Sequence, residues 1–201
     1  MFKNVLVRAI TTFVLFSIIC GIVFTLVMTG IAQLVFNKQA NGSIIVGNDG
    51  VTYGSEHLAQ EFTDDAHLWG RPMSYDVNTY TDPDGNIAVY AGPSNASPST
   101  PQYQETIDER VQALKEANPD ATMDQIPVEL VTMSGSGLDP DISPDAAEYQ
   151  VPRIAKATGR SEDEIRDIIE KCTTGRFLGV FGEPTVNVLK VNLMLDGKID
   201  A

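Results

Sequence analysis

The residues whose types and spacing could do chemistry are few, and the run Ser134-Gly135-Ser136-Gly137-Leu138 is the most suggestive of them. Successive backbone N–H groups in a glycine-rich turn can form a concavity that favours an anion such as phosphate. A tight connection between a strand and a helix explains the same residues, and a short Ser/Gly run does not separate the two. Asp82, Asp84 and Asn86 around Gly85 have the look of the opening of a calcium loop, but the glutamate such a loop needs further on is missing, so a solvated turn is expected. Asp139 and Asp141 around Pro140 are likewise turn residues. His57 and His67 stand ten positions apart without cysteine ligands nearby, a pattern expected of surface or core histidines rather than of zinc ligands.

Other signatures are absent from the chain. It has no GxxxxGK[ST] phosphate loop, no HExxH, no paired CxxC and no GxSxG nucleophile elbow. An anchored hydrolase therefore lacks a recognisable nucleophile and base.

The elements that must position these residues give a mixed α/β domain. Ser43 to Val46 and Val51 to Tyr53 flank Asn48-Asp49-Gly50, which predicts two short strands about a tight turn. The Pro, Gly, Asn, Ser and Asp residues from about Arg71 to Pro101 predict a long loop with room to move. Pro101, preceded by the caps Ser99 and Thr100, opens a helix with Ile107, Val111 and Leu114 on its buried face, and Asn118-Pro119 ends it. Val128 to Met133 reads as a strand ended by the Ser/Gly run. Ser143-Pro144 opens a second helix, and Ser161 with Glu164 forms a capping box for a third, closed by Gly175. Thr185 to Leu195, with Leu189, Val191, Leu193 and Leu195 alternating, predicts a terminal strand. No repeat of 20 to 50 residues occurs, so a solenoid is not expected.

Ahead of this domain, no charged residue occurs between Ala9 and Asn37. A helix needs roughly 20 apolar residues to cross a bilayer core, so this run is long enough. A cleaved signal peptide has a shorter apolar region, and Ser17-Ile18-Ile19 before Cys20 is a poor lipoprotein signal, so an uncleaved anchor is expected. Within it, Ser17, Gly21, Thr25 and Thr29 recur every four residues as a stripe of small side chains. Such a stripe lets another helix approach closely, although small residues are also tolerated in any membrane helix.

Lys3 and Arg8 precede the span, while the first acidic residue of the chain is Asp49. The positive-inside tendency therefore places residues 1–8 in the cytoplasm, 9–36 as the transmembrane helix and 37–201 as an extracytoplasmic α/β domain. All 27 acidic residues lie in that last part, so it is more negative than the −13 of the whole chain. Such a charge repels nucleic acid and anionic headgroups and concentrates cations nearby, and it also serves solubility. Cys20 in the span and Cys172 in the domain are not placed to form a disulfide.

Several blocks together resemble the C subunit of the Kdp-type potassium-transporting ATPases. They are Thr29-Gly30-Ile31-Ala32-Gln33, Gln39-Ala40-Asn41-Gly42-Ser43, Trp69-Gly70-Arg71-Pro72, Gly92-Pro93-Ser94-Asn95, Leu130 through Ser134-Gly135-Ser136-Gly137-Leu138-Asp139-Pro140 to Ser143-Pro144, Glu148-Tyr149-Gln150-Val151-Pro152-Arg153, and Gly182-Glu183-Pro184 with Val186-Asn187-Val188 and Asn192-Leu193. The pattern departs from the family at Ile87 to Ala91 and at Leu58-Ala59-Gln60-Glu61-Phe62.

This resemblance implies a single-span subunit working beside a channel-like potassium-binding subunit, a P-type ATPase subunit and a small fourth subunit. The subunit would have no cofactor of its own and ATP would enter through the complex. It also implies a second role, a catalytic chaperone that raises the ATP affinity of the ATPase subunit. That role would carry nucleotide contact over to Ser134, Gly135, Ser136, Gly137 and Gln150. The charge-based topology opposes this role, because ATP is cytoplasmic and those residues are expected on the other side.

Overall fold

The computed structural model describes residues 2–81, 85 and 87–200, the backbone alone at 2–4, 76–81 and 87–90. Its contacts divide the chain into two units, the first ending at Ile44 and the second beginning at Ile45.

The first unit is dominated by one long helix. Helix α1 (Phe2–Phe16) passes into a π-helical stretch (Ser17–Val23) and on into α2 (Phe24–Val35). The apolar part, Val5–Val35, spans 31 residues and none of its most apolar window is buried, so its length and composition suit a single membrane crossing. In the π stretch the ladder reaches one residue further back. The Phe24 N–H bonds the Ile19 carbonyl, and the Thr25 hydroxyl reaches the Cys20 carbonyl at 3.5 Å. Hydroxyls of this kind satisfy backbone groups that a wider turn would leave open in lipid. At the exit, Phe36 leaves helical geometry and a short turn, α3 (Asn37–Ala40), follows. There the Gln33 Oε1 accepts from both Asn37 Nδ2 and Asn41 Nδ2 at 3.1 Å, closing the helix end with amide bonds.

From Ile44 on, β1 (Ile44–Val46) and β2 (Thr52–Ser55) pair as expected, with the turn closed by Gly47 N–H to Val51 carbonyl at 2.9 Å. The segment read as a long loop instead contains an antiparallel pair, β3 (Tyr75–Thr81) and β4 (Ile87–Ala91). Tyr75 faces Ala91 and Thr81 faces Ile87, with an irregularity between Asp76 and Tyr80. The Pro, Asp and Gly residues that suggested a loop sit between and around β-branched and aromatic residues, which decide the backbone. Asp82, Asp84 and Asn86 lie outside the described residues.

Helix α4 (Pro101–Ala117) has Thr100 as its N-cap and buries Leu114, with Ile107 and Val111 packed on the same core. Val128 to Met133 is not a strand. Val128–Leu130 is a 3₁₀ turn, and the carbonyls beyond it are taken by side chains: Val131 by Arg110 at 2.8 Å and Met133 by Arg71 at 3.1 Å. Guanidinium groups thus replace the ladder that a strand would have needed.

A small antiparallel sheet has the order β5 (Asp141–Ile142), β7 (Thr185–Asn187), β6 (Thr173–Thr174). Helix α5 (Pro144–Glu148) starts at the cap Ser143, α6 (Val151–Thr158) ends at the left-handed Gly159, and α7 (Glu162–Lys171) carries the Ser161–Glu164 capping box. Helix α7 stops at Cys172, and Gly175 follows only after β6.

The expected terminal strand is helical for most of its length. After β7, Asn187 caps α8 (Val188–Leu195) by accepting from the Lys190 N–H at 3.1 Å. Val188, Val191 and Leu195 enter the main core, whereas Leu189 and Leu193 pack with Ile45 in a second cluster. A helix buried on two sides shows no polar stripe, so its apolar residues imitate the alternation of a strand.

Candidate functional site

A strap of irregular chain, residues 64–71, joins the two groups of residues that the sequence singled out. Most of its main-chain hydrogen bonds go to side chains of other elements. Leu68 donates its N–H to Asn192 Oδ1 at 2.7 Å and accepts from Asn192 Nδ2 at 2.9 Å. The next residue is held in the same manner: Trp69 N–H donates to Gln150 Oε1 at 2.8 Å and its carbonyl accepts from Gln150 Nε2 at 3.0 Å. A carboxamide offers both a donor and an acceptor, so it can imitate the edge of a neighbouring strand.

Gln150 has no exposed surface. Its Nε2 also donates to the Ala146 carbonyl at 3.1 Å, and its Oε1 accepts from Arg153 at 2.7 Å. All four bonding positions of the carboxamide are thereby filled within the fold. Arg153, itself buried, donates to the carbonyls of Asp64 and Asp65 at 3.1 and 2.8 Å and stacks 4.4 Å from the centre of the Trp69 ring. Burial pushes its guanidinium down to about 10, so it remains charged at neutral pH without a direct carboxylate partner among the described residues.

Arg71 carries the strap to the Ser/Gly loop. It pairs with Asp139 at 3.2 Å and bonds the Met133 carbonyl, bracketing the loop from both ends. Inside the loop Ser134 Oγ accepts from the Gly137 N–H at 3.1 Å, and Ser136 Oγ accepts from the Leu138 N–H at 3.2 Å. Two amides that could have faced an anion are therefore turned onto the loop's own hydroxyls. Gly137, at φ +76°, is required: a Cβ there would fall 2.5 Å from the Gly92 carbonyl oxygen and 2.8 Å from that of Ser74. Gly135 is exposed and meets nothing within 4 Å. The structure thus gathers Ser134, Gly135, Ser136 and Gly137 in one loop and places Gln150 in the interior, linked to it through the strap.

At the other end of the strap His67 bridges two acids, Asp64 at 2.8 Å and Asp196 at 3.0 Å. Burial alone would push the imidazole down, but its bonds to Asp64 and Asp196 outweigh that and hold it above its ordinary value.

Beside Arg153 lies an open cavity of about 760 Å³, lined among others by Asp65, Asn118, Glu148, Tyr149 and Lys156. Burial raises the Tyr149 hydroxyl, which has no hydrogen-bond partner among the described residues. Among the described residues no group of three His, Cys, Asp or Glu is placed to hold a metal ion.

In the first unit Ser17 and Gly21 fall in the π stretch, and Thr25 and Thr29 in the α-helical turns after it. A Cβ on Gly21 would meet nothing within 4 Å, so that side of the helix is open.

In the sequence Arg153 and Asn192 stand only inside the family-like blocks, and their structural roles are not visible there. Asn192, a lone amide inside the apolar run Val188–Leu195, was the available signal, since a buried amide must find partners.

The profile described as KdpC: K+-transporting ATPase, c chain, matches residues 6–197. The chain is 50% identical over 196 residues to the potassium-transporting ATPase KdpC subunit of Clostridium botulinum (strain Alaska E43 / Type E3), covering 98% of this chain and 97% of that one. It is 51% identical over 190 residues to the protein of the same name from Clostridium perfringens, covering 94% and 96%. With that of Rhodopseudomonas palustris it shares 45% over 193 residues, 94% of each.

Proposed function

Because the chain belongs to the KdpC family of K+-transporting ATPase c chains, we propose that it is a membrane-anchored, non-catalytic accessory subunit of an ATP-driven potassium import complex. Its helix, residues 9–36, packs against partner helices through Ser17, Gly21, Thr25 and Thr29. Residues 1–8 lie in the cytoplasm and residues 37–201 form the extracytoplasmic domain. The subunit holds a channel-like potassium-binding subunit and a P-type ATPase subunit together, with a small fourth subunit nearby, and its acidic domain sits over the ion entrance.

The observation that carries this reading is the apolar helix Val5–Val35, with Lys3 before it and Arg8 in its first turn, every acid of the chain after it, and an open side at Gly21. The small residues permit the close approach that membrane helices need, and the charge asymmetry sets the direction.

A catalytic-chaperone role through Ser134, Gly135, Ser136, Gly137 and Gln150 has less in its favour. Gln150 has no free bonding position, and the amides of Gly137 and Leu138 are already bonded. The test is purification of the full chain in mild detergent with identification of what travels with it. Two large membrane proteins, one of them an ATPase, are expected; purification of the chain alone would contradict the reading.

A further inference from the structure

Between β6 and β7 the chain turns through Phe177-Leu178-Gly179-Val180-Phe181, and this turn holds four of the five most exposed large apolar side chains among the described residues of the second unit. Phe177, Leu178, Val180 and Phe181 are 72%, 76%, 70% and 64% exposed. Four large apolar side chains at one tip are unusual on a surface otherwise rich in charge. Phe177 and Phe181 bond each other's main chain at 2.8 and 3.0 Å, Gly179 N–H bonds the Arg176 carbonyl, and Val180 N–H bonds the Phe177 carbonyl. Below the tip, Arg176 pairs with Glu183 at 2.6 Å, so the neck is electrically neutral.

We propose that this tip is a docking plug that enters an apolar recess on a membrane-embedded partner subunit of the complex, a proposal that rests on the subunit reading above. The internal bonds of the tip make its desolvation cheap, because four of its five N–H groups already have partners. Phenylalanine on either side of the turn supplies aromatic side chains of the kind enriched in the cores of protein interfaces.

Charge separates the partner from the other occupants. A bilayer surface rich in anionic lipid would repel a domain that holds all 27 acids of the chain, and the neck's Arg176 is neutralised by Glu183 and does not offset this. A second copy would bring the same negative charge against itself. An apolar recess on a protein needs neither.

The test uses the full chain with Leu178→Cys, in a Cys20→Ala background, carrying an environment-sensitive nitrobenzoxadiazole dye. In the purified complex its emission is expected to shift to the blue and its quenching by iodide to fall at least threefold relative to the chain alone. In phosphatidylethanolamine–phosphatidylglycerol vesicles holding the chain alone, no shift is expected. Phe177→Asp is expected to lower partner recovery at least tenfold in a salt wash. A blue shift in vesicles without partners would overturn the proposal in favour of lipid insertion, and an unshifted dye in an intact complex would overturn it outright. Failure of the unmodified chain to bring down any partner would instead sink the subunit reading itself.

Discussion

Gln150 grips Trp69 by both main-chain groups, accepting from its N–H at 2.8 Å and donating to its carbonyl at 3.0 Å. With Asn192 doing the same to Leu68, two consecutive residues of an irregular strap are fixed by carboxamides from two different parts of the fold. This relationship makes Gln150 a structural residue whose loss is felt in stability.

Gln150→Ala leaves the Trp69 amide without its acceptor and Arg153 without its carboxamide partner in a dry interior. The full chain in detergent is expected to lose about 2–4 kcal/mol of stability in chemical denaturation. Gln150→Glu should also destabilise, because the Trp69 and Ala146 carbonyls would then face an oxygen. A variant as stable as the parent would mean that the strap is held by other means.

The Ser/Gly loop offers a matched pair. Gly137→Ala forces a Cβ against two carbonyl oxygens at a positive φ and should cost about 2 kcal/mol or more, whereas Gly135→Ala meets open space and should be nearly neutral. Thermal melts of the two variants side by side check this. Equal melting temperatures would contradict the packing described for the loop.

Leucine at Gly21 together with leucine at Thr25 tests the anchor. Open space around Gly21 lets the larger side chain fit the chain alone, and the Thr25 hydroxyl bond given up is long, at 3.5 Å, so its melting should move little. Between packed helices the same side chains would clash, and partner recovery from detergent is expected to fall at least tenfold. Unchanged recovery would remove the stripe from the interface.

The Asp64–His67–Asp196 bridge predicts a pH dependence. His67 titrates above its ordinary value when folded, so its contribution is full below the unfolded value near pH 6.5 and is lost as the pH rises through the folded one. Asp64 runs the other way. Burial pulls it up, but the bond from His67 holds it below its usual value, so its share is present above the unfolded value and lost in acid. Raising the pH from about 6 to about 8 should therefore lower the melting temperature by roughly 1–2 °C, and His67→Gln should flatten that change. A parent that shows no change over this range would contradict the bridge.

The local signals that carry their own chemistry were legible in the chain. Thr100 before Pro101, Ser143 before Pro144 and the Ser161–Glu164 box each mark a helix start, because the capping bonds lie within a few residues. Where long-range partners decide, local reading failed. Val131 and Met133 have their carbonyls taken by Arg110 and Arg71, far away in sequence, and α8 is buried by two clusters at once. The same holds for the site: the Ser/Gly run is visible as a motif, but that its amides fold back onto Ser134 and Ser136 depends on contacts from Ser74 and Gly92.

The side of the membrane that the domain occupies is the claim on which the rest turns. Asp163→Cys places a thiol on a side chain that is 94% exposed, in a background with Cys20→Ala. The natural Cys172 does not compete, since it is buried and its thiol is pushed up to about 11. Spheroplasts treated with a membrane-impermeant maleimide should label this cysteine as fully as lysed cells do. Labelling that appears only after lysis would put the domain in the cytoplasm and contradict the account.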